Sequence, residues 1–507
     1  MRSAALGVAV VVGLCSLARA AHPQIGSSLD SSGVRRWRED LAFLAREMPS
    51  QHANLFHAMR REQFDSAVAR IGNRLPSLTR AQVIVELQRL AAMIGDGHSS
   101  VSPWRDTVIA FHTLPIALYR FSGGYYIRAT TRDQSSLLGA RVTRIGAVSV
   151  DSAESLIASL ISRDNAMAVW MYAPFLLAMP EVLQAVGLTR DPASAEFSLE
   201  VNGTARSVTL TTAGLFPNLS GDADKSWNAR PGWIDLRERS AAPLWLSRTG
   251  DTYWSTYVPE YGVLYCQLNE IQERNESLQQ FLAHALAAAD SVGAPRFVLD
   301  LRLNGGGNGY YNRTIVRALV RSRFDERGRL FVITSRRTFS AAQMLISDLE
   351  RWTSPIFVGE PSASRGNHFG DSRRLVLPNS RVTLRVSSLW WQYWDTRDIR
   401  PWIAPEVAAP LSVEAYRDGR DPALEAMARF VPRPSLDDRL KPLLIAADSA
   451  AVWTALEAFR ADPANAWLDP RRSLTAISGA LRGEGHSDAA ALAERLQARL
   501  PVWSLPR

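Results

Sequence analysis

Apolar residues recur at helical spacing near the start of this 507-residue chain. Three stretches carry the pattern: VRRWREDLAFLAREM, REQFDSAVARIGNRL and RAQVIVELQRLAAMIG. In each of them, apolar side chains three or four residues apart would form one buried helix face. We therefore predict a small helical domain over residues 21–103, which ends in the glycine-containing turn GDGHSS.

The pattern changes to short alternating runs after this turn. The runs YYIRATT and EFSLEV alternate apolar and polar positions, and the Asn-Gly pair that follows EFSLEV is typical of a hairpin turn. We predict a strand-rich module with one or two helices over residues 104–215. Residues 216–255 are rich in turn-forming residues and lack periodicity, so we predict that they connect two domains.

Residues 256–428 alternate between strand-like and helix-like stretches. The runs YGVLYCQL, RFVLDLRL and LFVITS are apolar enough to be buried on both faces, which is typical of a parallel sheet covered by helices. Residues 429–507 return to helical spacing, with a helix pair around a glycine-rich turn. The predicted fold class is a multidomain α+β chain with an α/β core between helical segments.

The first twenty residues, MRSAALGVAVVVGLCSLARA, have a basic start, an apolar run and small residues at the end. This pattern indicates an export signal cleaved after Ala20, and no later stretch is apolar for long enough to span a bilayer. We expect a periplasmic or secreted protein without a membrane span. Cleavage would remove Cys15 and leave Cys266 without a partner, so no internal disulfide is expected.

The net charge of +8 comes almost entirely from arginine, because the chain has two lysines, Lys225 and Lys441. The arginines are scattered rather than gathered in a basic run, so we do not predict nucleic-acid binding. No histidine pair has the spacing of metal ligands. We therefore expect no metal or organic cofactor. The oligomeric state cannot be predicted from these patterns.

Ser340 opens the helix-like stretch TFSAAQMLISDLE and allows two interpretations. Ser340 and Gln343 have the spacing of a capping box, so the serine could simply cap the helix. Alternatively, Ser340 follows the strand LFVITS, and three glycines at 305–307 follow another strand. Parallel strands place such loops at one sheet edge, where the glycine and Ala341 amides could stabilise an oxyanion beside a serine nucleophile.

A serine nucleophile needs a base, which is normally histidine or lysine. Neither lysine lies in the sequence near Ser340, so histidine is favoured. His98 in GDGHSS and His368 in SRGNHFG lie in turn-like sequence. The other candidates lie in helix-like or strand-like segments: His52, His57, His112, His284 and His486.

Four motifs together resemble the C-terminal processing peptidases, also called tail-specific proteases, and in particular their tricorn-core branch. The motifs are GDGH, VLDLRLNGGG, FSAAQ and GRDPALE, and the resemblance covers roughly residues 34–428. It implies a PDZ-like domain at residues 104–215, a kind that binds extended peptides at a sheet edge. It also implies a ClpP/crotonase-like catalytic core at residues 256–428 and a peptide or protein substrate.

The resemblance also implies roles for individual residues. Ser340 would be the nucleophile, and Gly306 or Gly307 would form the oxyanion hole with Ala341. His98 matches the histidine of the tricorn-like branch. With a histidine of ordinary pKa as the base, activity should fall below about pH 6.5.

The acidic partner of His98 and the residue at position 365 follow from the same resemblance. Spacing favours Asp398 in WDTRDIRPWIAPE as the acid that orients the histidine, with Asp395 and Glu406 as alternatives. Arg365 stands where the lysine-dependent branch has its base, but an arginine stays protonated and cannot accept the serine proton. We expect Arg365 instead to bind a peptide carboxylate.

These residues predict an exported serine peptidase with a Ser-His-acid mechanism. Two alternatives remain open. A protein of this fold could bind an apolar ligand or a peptide without catalysis, and the tryptophan-rich segment at residues 390–402 would suit an apolar ligand. An esterase could use the same catalytic residues.

Overall fold

The computed structural model describes residues 27–106, 108–216, 230–238, 240–393, 395–432 and 434–501. The predicted signal at residues 1–20, Cys15 and Lys225 lie outside the described residues. Within the described ranges, no helix is long and apolar enough to cross a membrane. Helices and sheets are both abundant, which confirms the predicted mixed class, whereas the division into the named domains stays a prediction.

Three helices form the N-terminal part of the described chain: α1 (Ser31–Gln51), α2 (Arg61–Arg74) and α3 (Arg80–Ala92). Asp30 accepts a hydrogen bond from the Gly33 amide at the start of α1, and Thr79 forms a capping box with Gln82 at α3. The apolar faces of the three helices share one core, as the periodicity predicts. The GDGH turn follows α3, so these helices position His98.

The next region consists mainly of strands. Its strands are β1 (Ser100–Val101), β2 (His112–Thr113), β3 (Ile116–Phe121), β4 (Gly124–Thr131), β5 (Arg141–Ile145), β6 (Val148–Ser149), β7 (Ser194–Val201), β8 (Thr204–Thr211), β9 (Gly214–Leu215) and β10 (Trp233–Asp235). Its helices are α4 (Val150–Ala158), α5 (Met167–Leu176) and α6 (Pro180–Ala185). One sheet has the order β10-β4-β5-β7-β8, with β3 paired to β4 and β6 to β5. Asn202 and Gly203 join β7 to β8 with φ values of 49° and 78°, as the predicted hairpin turn requires.

The α/β layer is built on a sheet of order β11-β12-β13-β14-β15-β18. The strands of this part are β11 (Tyr253–Val258), β12 (Val263–Leu268), β13 (Arg296–Asp300), β14 (Leu330–Thr334), β15 (Ile356–Gly359), β16 (His368–Val376), β17 (Thr383–Trp391) and β18 (Val407–Ala408). Its helices are α7 (Leu278–Ser291), α8 (Asn312–Val320), α9 (Ala341–Trp352), α10 (Val413–Arg417) and α11 (Pro422–Ala428).

This sheet explains the apolar runs of the sequence. β12 to β15 and β18 run parallel, whereas β11 is antiparallel to β12. β12, β14 and β15 are buried along their whole length, because helices or loops cover both faces. The loops that follow β13 and β14 leave from the same sheet edge, and these loops carry the three glycines and Ser340.

A second, three-stranded sheet connects the two halves of the chain in the order β1-β17-β16. β16 and β17 form a long antiparallel hairpin, and β17 pairs with β1, which lies just after His98. The sequence pattern did not predict this pairing. It fixes the histidine turn against a hairpin that lies beyond Ser340 in the chain.

Four helices complete the described chain: α12 (Leu436–Ile445), α13 (Ser449–Ala461), α14 (Pro470–Gly483) and α15 (Ser487–Arg499). They share an apolar core of their own, in which Leu440, Leu456 and Ile477 are buried. α14 and α15 flank the glycine-rich turn, which confirms the predicted helix pair.

Candidate active site

Ser340 lies immediately before α9 with φ 56° and ψ −123°. A positive φ is costly for a residue with a Cβ atom, and such strain is concentrated at functional positions. The Ser340 side chain makes no capping hydrogen bond. Gln343 accepts instead from the Ser362 hydroxyl at 2.5 Å, and its amide nitrogen lies 3.3 Å from Ser347 Oγ. The capping-box interpretation is therefore wrong.

His98 lies beside this serine although 242 residues separate them in the chain, and its Nε2 atom is 3.0 Å from Ser340 Oγ. The His98 ring stacks on Phe339 at a centroid distance of 4.4 Å and on His368 at 5.5 Å. Burial, and then the nearby His368, lower the pKa of His98 to about 4. The imidazole is therefore neutral at neutral pH and can accept the serine proton.

Asp96 holds the turn that carries His98. One carboxylate oxygen accepts hydrogen bonds from the His98 amide at 2.7 Å and the Ser99 amide at 2.6 Å. The other lies 2.8 Å from His52 Nε2, which carries the ring proton because His52 Nδ1 accepts from the Asn54 amide. Burial raises the pKa of Asp96, but the hydrogen bonds from His52 and Ser99 outweigh it and hold that pKa well below its usual value.

Asp164 supports the same turn from a different element. Its carboxylate accepts from the Gly97 amide at 2.7 Å and from the Ser364 hydroxyl at 2.5 Å. Asp164 and Asp96 both raise the pKa of His98 electrostatically, against the larger effect of burial. The sequence analysis predicted no role for Asp164 or for Asp96. Asp96 is the aspartate of the GDGH motif, and its place next to His98 was the available signal for it.

The structure does not bring the predicted acid to His98. Asp398 accepts two hydrogen bonds from Arg400 Nε, at 2.8 and 2.9 Å, and a third from its backbone amide. Arg400 also binds Glu350 at 2.6 Å. His98 Nδ1 is buried and has no hydrogen-bond partner among the described residues. The local Asp-x-Arg sequence explains the difference, because it lets the arginine reach back to the carboxylate two residues earlier.

The two alternative acids are also engaged elsewhere. Asp395 pairs with Arg397 at 2.6 Å, and Glu406 pairs with Arg327 at 2.6 Å. Both pairs are exposed to solvent to a large extent. Neither carboxylate is hydrogen-bonded to His98.

Gly306 packs directly against the serine. A Cβ atom on Gly306 would lie 2.8 Å from Ser340 Cβ, and Gly306 has a φ of 117°. Its amide, however, donates to the Asn304 side chain at 2.9 Å, so Gly306 is not available as an oxyanion donor. The prediction for Gly306 thus needs correction: the residue is required because no larger side chain fits beside Ser340.

The amides of Gly307 and Ala341 stay candidates for oxyanion donors. Ile271 and Gly307 form an isolated parallel β-bridge. In it, the Ile271 amide donates to the Gly306 carbonyl at 2.8 Å, and the Ile271 carbonyl accepts from the Asn308 amide at 2.7 Å. The Gly307 amide therefore points away from Ile271. Ala341 is the first residue of α9, where backbone amides lack partners within the helix.

A cavity of about 1100 Å³ lies beside His98 and the glycine loop. His98, Phe339 and Gly305–Gly307 are among the residues that line it. Arg365 does not line this cavity; its Nε atom donates to the Asp164 carbonyl at 2.9 Å, and the residue is exposed. The expected role of Arg365 in substrate binding is therefore not supported. The tryptophans at 390, 391 and 402 do not line the cavity either.

Comparison with known proteins finds similar solved structures but no match by sequence. No family model matches the sequence, and no curated protein matches it. Among solved structures, a mutant of CPAF is 12% identical with a TM-score of 0.55, covering 78% of this chain and 97% of that one. Mature CPAF is 13% identical with a TM-score of 0.53, at 78% and 97% coverage. CPAF complexed with lactacystin gives 12% and 0.51, at 78% and 98% coverage.

These similarities extend over nearly the whole of the CPAF chains. At such low identity they show a shared fold. The resemblance to C-terminal processing peptidases predicted from the four motifs is confirmed at that level.

Proposed function

We propose that this chain is an exported serine peptidase of the C-terminal processing type, which hydrolyses peptide bonds in a peptide or protein. The observation that carries the proposal is the 3.0 Å contact between His98 Nε2 and Ser340 Oγ. Ser340 holds a strained backbone conformation at this point and does not use its hydroxyl to cap α9. A serine with only a structural role would not need this arrangement.

The mechanism follows from the positions of these groups. Ser340 Oγ attacks the peptide carbonyl while its proton passes to His98 Nε2, and the amides of Gly307 and Ala341 donate to the oxyanion. His98 then gives the proton to the leaving amine. Water repeats the sequence on the acyl-enzyme, which releases the second product and restores the serine.

The charge that forms on His98 needs stabilisation during these steps. We assign this role to the carboxylates of Asp164 and Asp96, which favour the protonated imidazole without bonding to its Nδ1 atom. Asp398 is not assigned the role, because Arg400 binds its carboxylate.

The proposal is tested by labelling the mature chain with a fluorophosphonate probe, which reacts with activated serines. We expect an adduct on Ser340 in peptide mass spectra and its loss in His98→Ala. His486→Ala is the matched control, because His486 is exposed at the start of α15, and it should label like the wild type. A folded wild-type chain without an adduct would contradict the proposal.

One observation favours a second candidate. The buried Nδ1 atom has no partner in the part of the chain that the structure describes, which leaves His98 poorly oriented for catalysis, and the large cavity could hold a ligand without turnover. A non-catalytic binding protein would give no probe adduct but would still bind peptides or apolar ligands. An esterase would give the adduct, and it would hydrolyse simple acyl esters but no peptide.

A further inference from the structure

The charged side chains around the cavity fall into two groups. On the side of β11, Arg248 pairs with Asp251 at 2.6 Å, and Arg274 pairs with Glu270 at 3.2 Å. On the side of the three-stranded sheet, Arg105 and Arg385 line the cavity. Neither forms an ion pair with any described carboxylate, so this side has an excess of positive charge.

The sheet brings further positive charge to the same place. Ser100, Arg385 and Arg374 lie directly opposite one another on β1, β17 and β16, so they share one face of the sheet. Arg105 ends the short helical turn Pro103–Arg105 that follows β1. Burial lowers the pKa of Arg105, and Arg385 and Arg374 lower it further. Like charges opposite each other destabilise a sheet, so the fold retains this cluster at a cost.

Tyr172 on α5 faces the same arginines. Burial raises the pKa of Tyr172, and the surrounding Arg337, Arg105 and Arg385 oppose that rise. Tyr172 and Arg337 also line the cavity. A hydroxyl therefore lies among the guanidinium groups, where it could donate a hydrogen bond to an anion.

The cluster lies close to the catalytic pair. Ser372 lines the cavity, and its hydroxyl donates to the His98 carbonyl at 2.8 Å. Arg374 lies two residues further along β16 on the same face, which corresponds to about 7 Å. This is the separation between neighbouring side chains on one face of an extended peptide, so a peptide that lies along this cavity wall past His98 would present a side chain to the arginines.

We propose that Arg105 and Arg385, supported by Arg374 and Tyr172, form a subsite for a carboxylate of the bound peptide. Guanidinium groups bind carboxylates through paired, charge-assisted hydrogen bonds, and the ligand would supply the carboxylate partner that Arg105 and Arg385 lack among the described residues. The carboxylate belongs to an Asp or Glu side chain near the scissile bond. This subsite rests on the proposed peptidase function and specifies its substrate class as acidic peptides.

The test uses the mature chain and pools of fluorescein-labelled decapeptides that are randomised except at one position, which is fixed as Glu or Gln. Each pool is made with a free and an amidated C-terminus. We expect wild-type kcat/KM to be about tenfold higher for the Glu pool than for the Gln pool, as a charge-assisted hydrogen bond would give, with free and with amidated peptides alike. A preference for free over amidated peptides without a preference for Glu over Gln would overturn the proposal.

The double variant Arg105→Gln, Arg385→Gln should reduce that preference to about twofold or less. Arg373→Gln is the matched control, because Arg373 lies next to Arg374 on β16 but its side chain alternates to the other face of the sheet. It should keep the wild-type preference. A wild type without preference, or a double variant that retains it, would overturn the proposed subsite.

Probe labelling of Ser340 in the same preparations separates this proposal from the peptidase function. Undiminished labelling of the double variant shows an intact fold and catalytic pair. If the wild type takes no label, the peptidase function fails and the subsite is judged by fluorescence anisotropy of the same pools. Preferential binding of the Glu pools that the double variant loses would support the subsite, and equal binding of the Glu and Gln pools would reject it.

Discussion

The two residues of the proposed catalytic pair, Ser340 and His98, are held in different ways. Ser340 is positioned by chain connectivity, because buried strand β14 leads through a short turn into α9. His98 is positioned by polar contacts from distant parts of the chain: Asp164 holds Gly97, and the Ser372 hydroxyl binds the His98 carbonyl. Ser340 is thus positioned locally at one sheet edge. The position of His98 depends instead on Asp164 and β16, which must first pack against its turn.

This difference can be tested first at the serine. Gly306→Ala would place a Cβ atom 2.8 Å from Ser340 Cβ at a φ of 117°, so the glycine loop must move. We expect kcat/KM to fall by at least about a hundredfold, and the free energy of unfolding by about 1–3 kcal/mol. Gly305→Ala is the control, because a Cβ there meets nothing within 4 Å. Equal effects of the two changes would contradict the packing described.

The base side can be tested at Asp96. Asp96→Asn weakens the acceptor for the His98 and Ser99 amides and removes the negative charge opposite His52. We expect the free energy of unfolding to fall by about 3 kcal/mol in denaturant titrations. Activity should fall about tenfold rather than vanish, because Asp164 still holds the Gly97 amide. An unchanged stability would show that the network does not hold the turn.

The pH profile tests the environment of His98. Activity needs the neutral imidazole, and a pKa of about 4 keeps it neutral until the pH falls well below the ordinary histidine value of 6.5. We therefore expect kcat/KM to be level from about pH 8 to about pH 5 and to decline as the pH falls through about 4. This revises the fall near pH 6.5 that an ordinary histidine predicts.

The same profile can be shifted by changing one neighbour. His368 is the second cause of the low pKa of His98, after burial. His368→Gln should therefore move the acidic decline to higher pH, toward 6.5. His486→Ala, far along the chain, should leave the profile in place, and an unshifted decline in His368→Gln would contradict the electrostatic coupling.

The smallest effect is expected at the acid predicted from spacing. Asp398→Asn removes a partner of Arg400 but no contact of His98, so kcat/KM should stay within about twofold of the wild type. The exposed pair of Asp395 and Arg397 provides the matched control variant, Asp395→Asn. A loss of a hundredfold or more in Asp398→Asn alone would restore the Ser-His-acid assignment.

The sequence predicted the locally encoded surroundings of Ser340 better than the long-range contacts that hold His98. The strands, the glycine loop, Ser340 and Ala341 lie within short segments, so periodicity and motif order were enough to predict them. His98 was favoured among the histidines only by the family motif. The capping-box alternative fails because the Ser362 hydroxyl, from another element, donates a hydrogen bond to the Gln343 side chain. The pairing of β1 with β17 and the contacts of Asp164 depend on long-range packing, which no local pattern encodes.

The β1-β17-β16 sheet also sets an order of events during synthesis. A ribosome would complete both His98 and Ser340 well before the hairpin that fixes the histidine turn, so the two side chains alone do not make a functional site. A chain that ends after α9 should therefore take no fluorophosphonate label. Any activity should therefore appear only once the last strand of the hairpin has been made and has paired with β1.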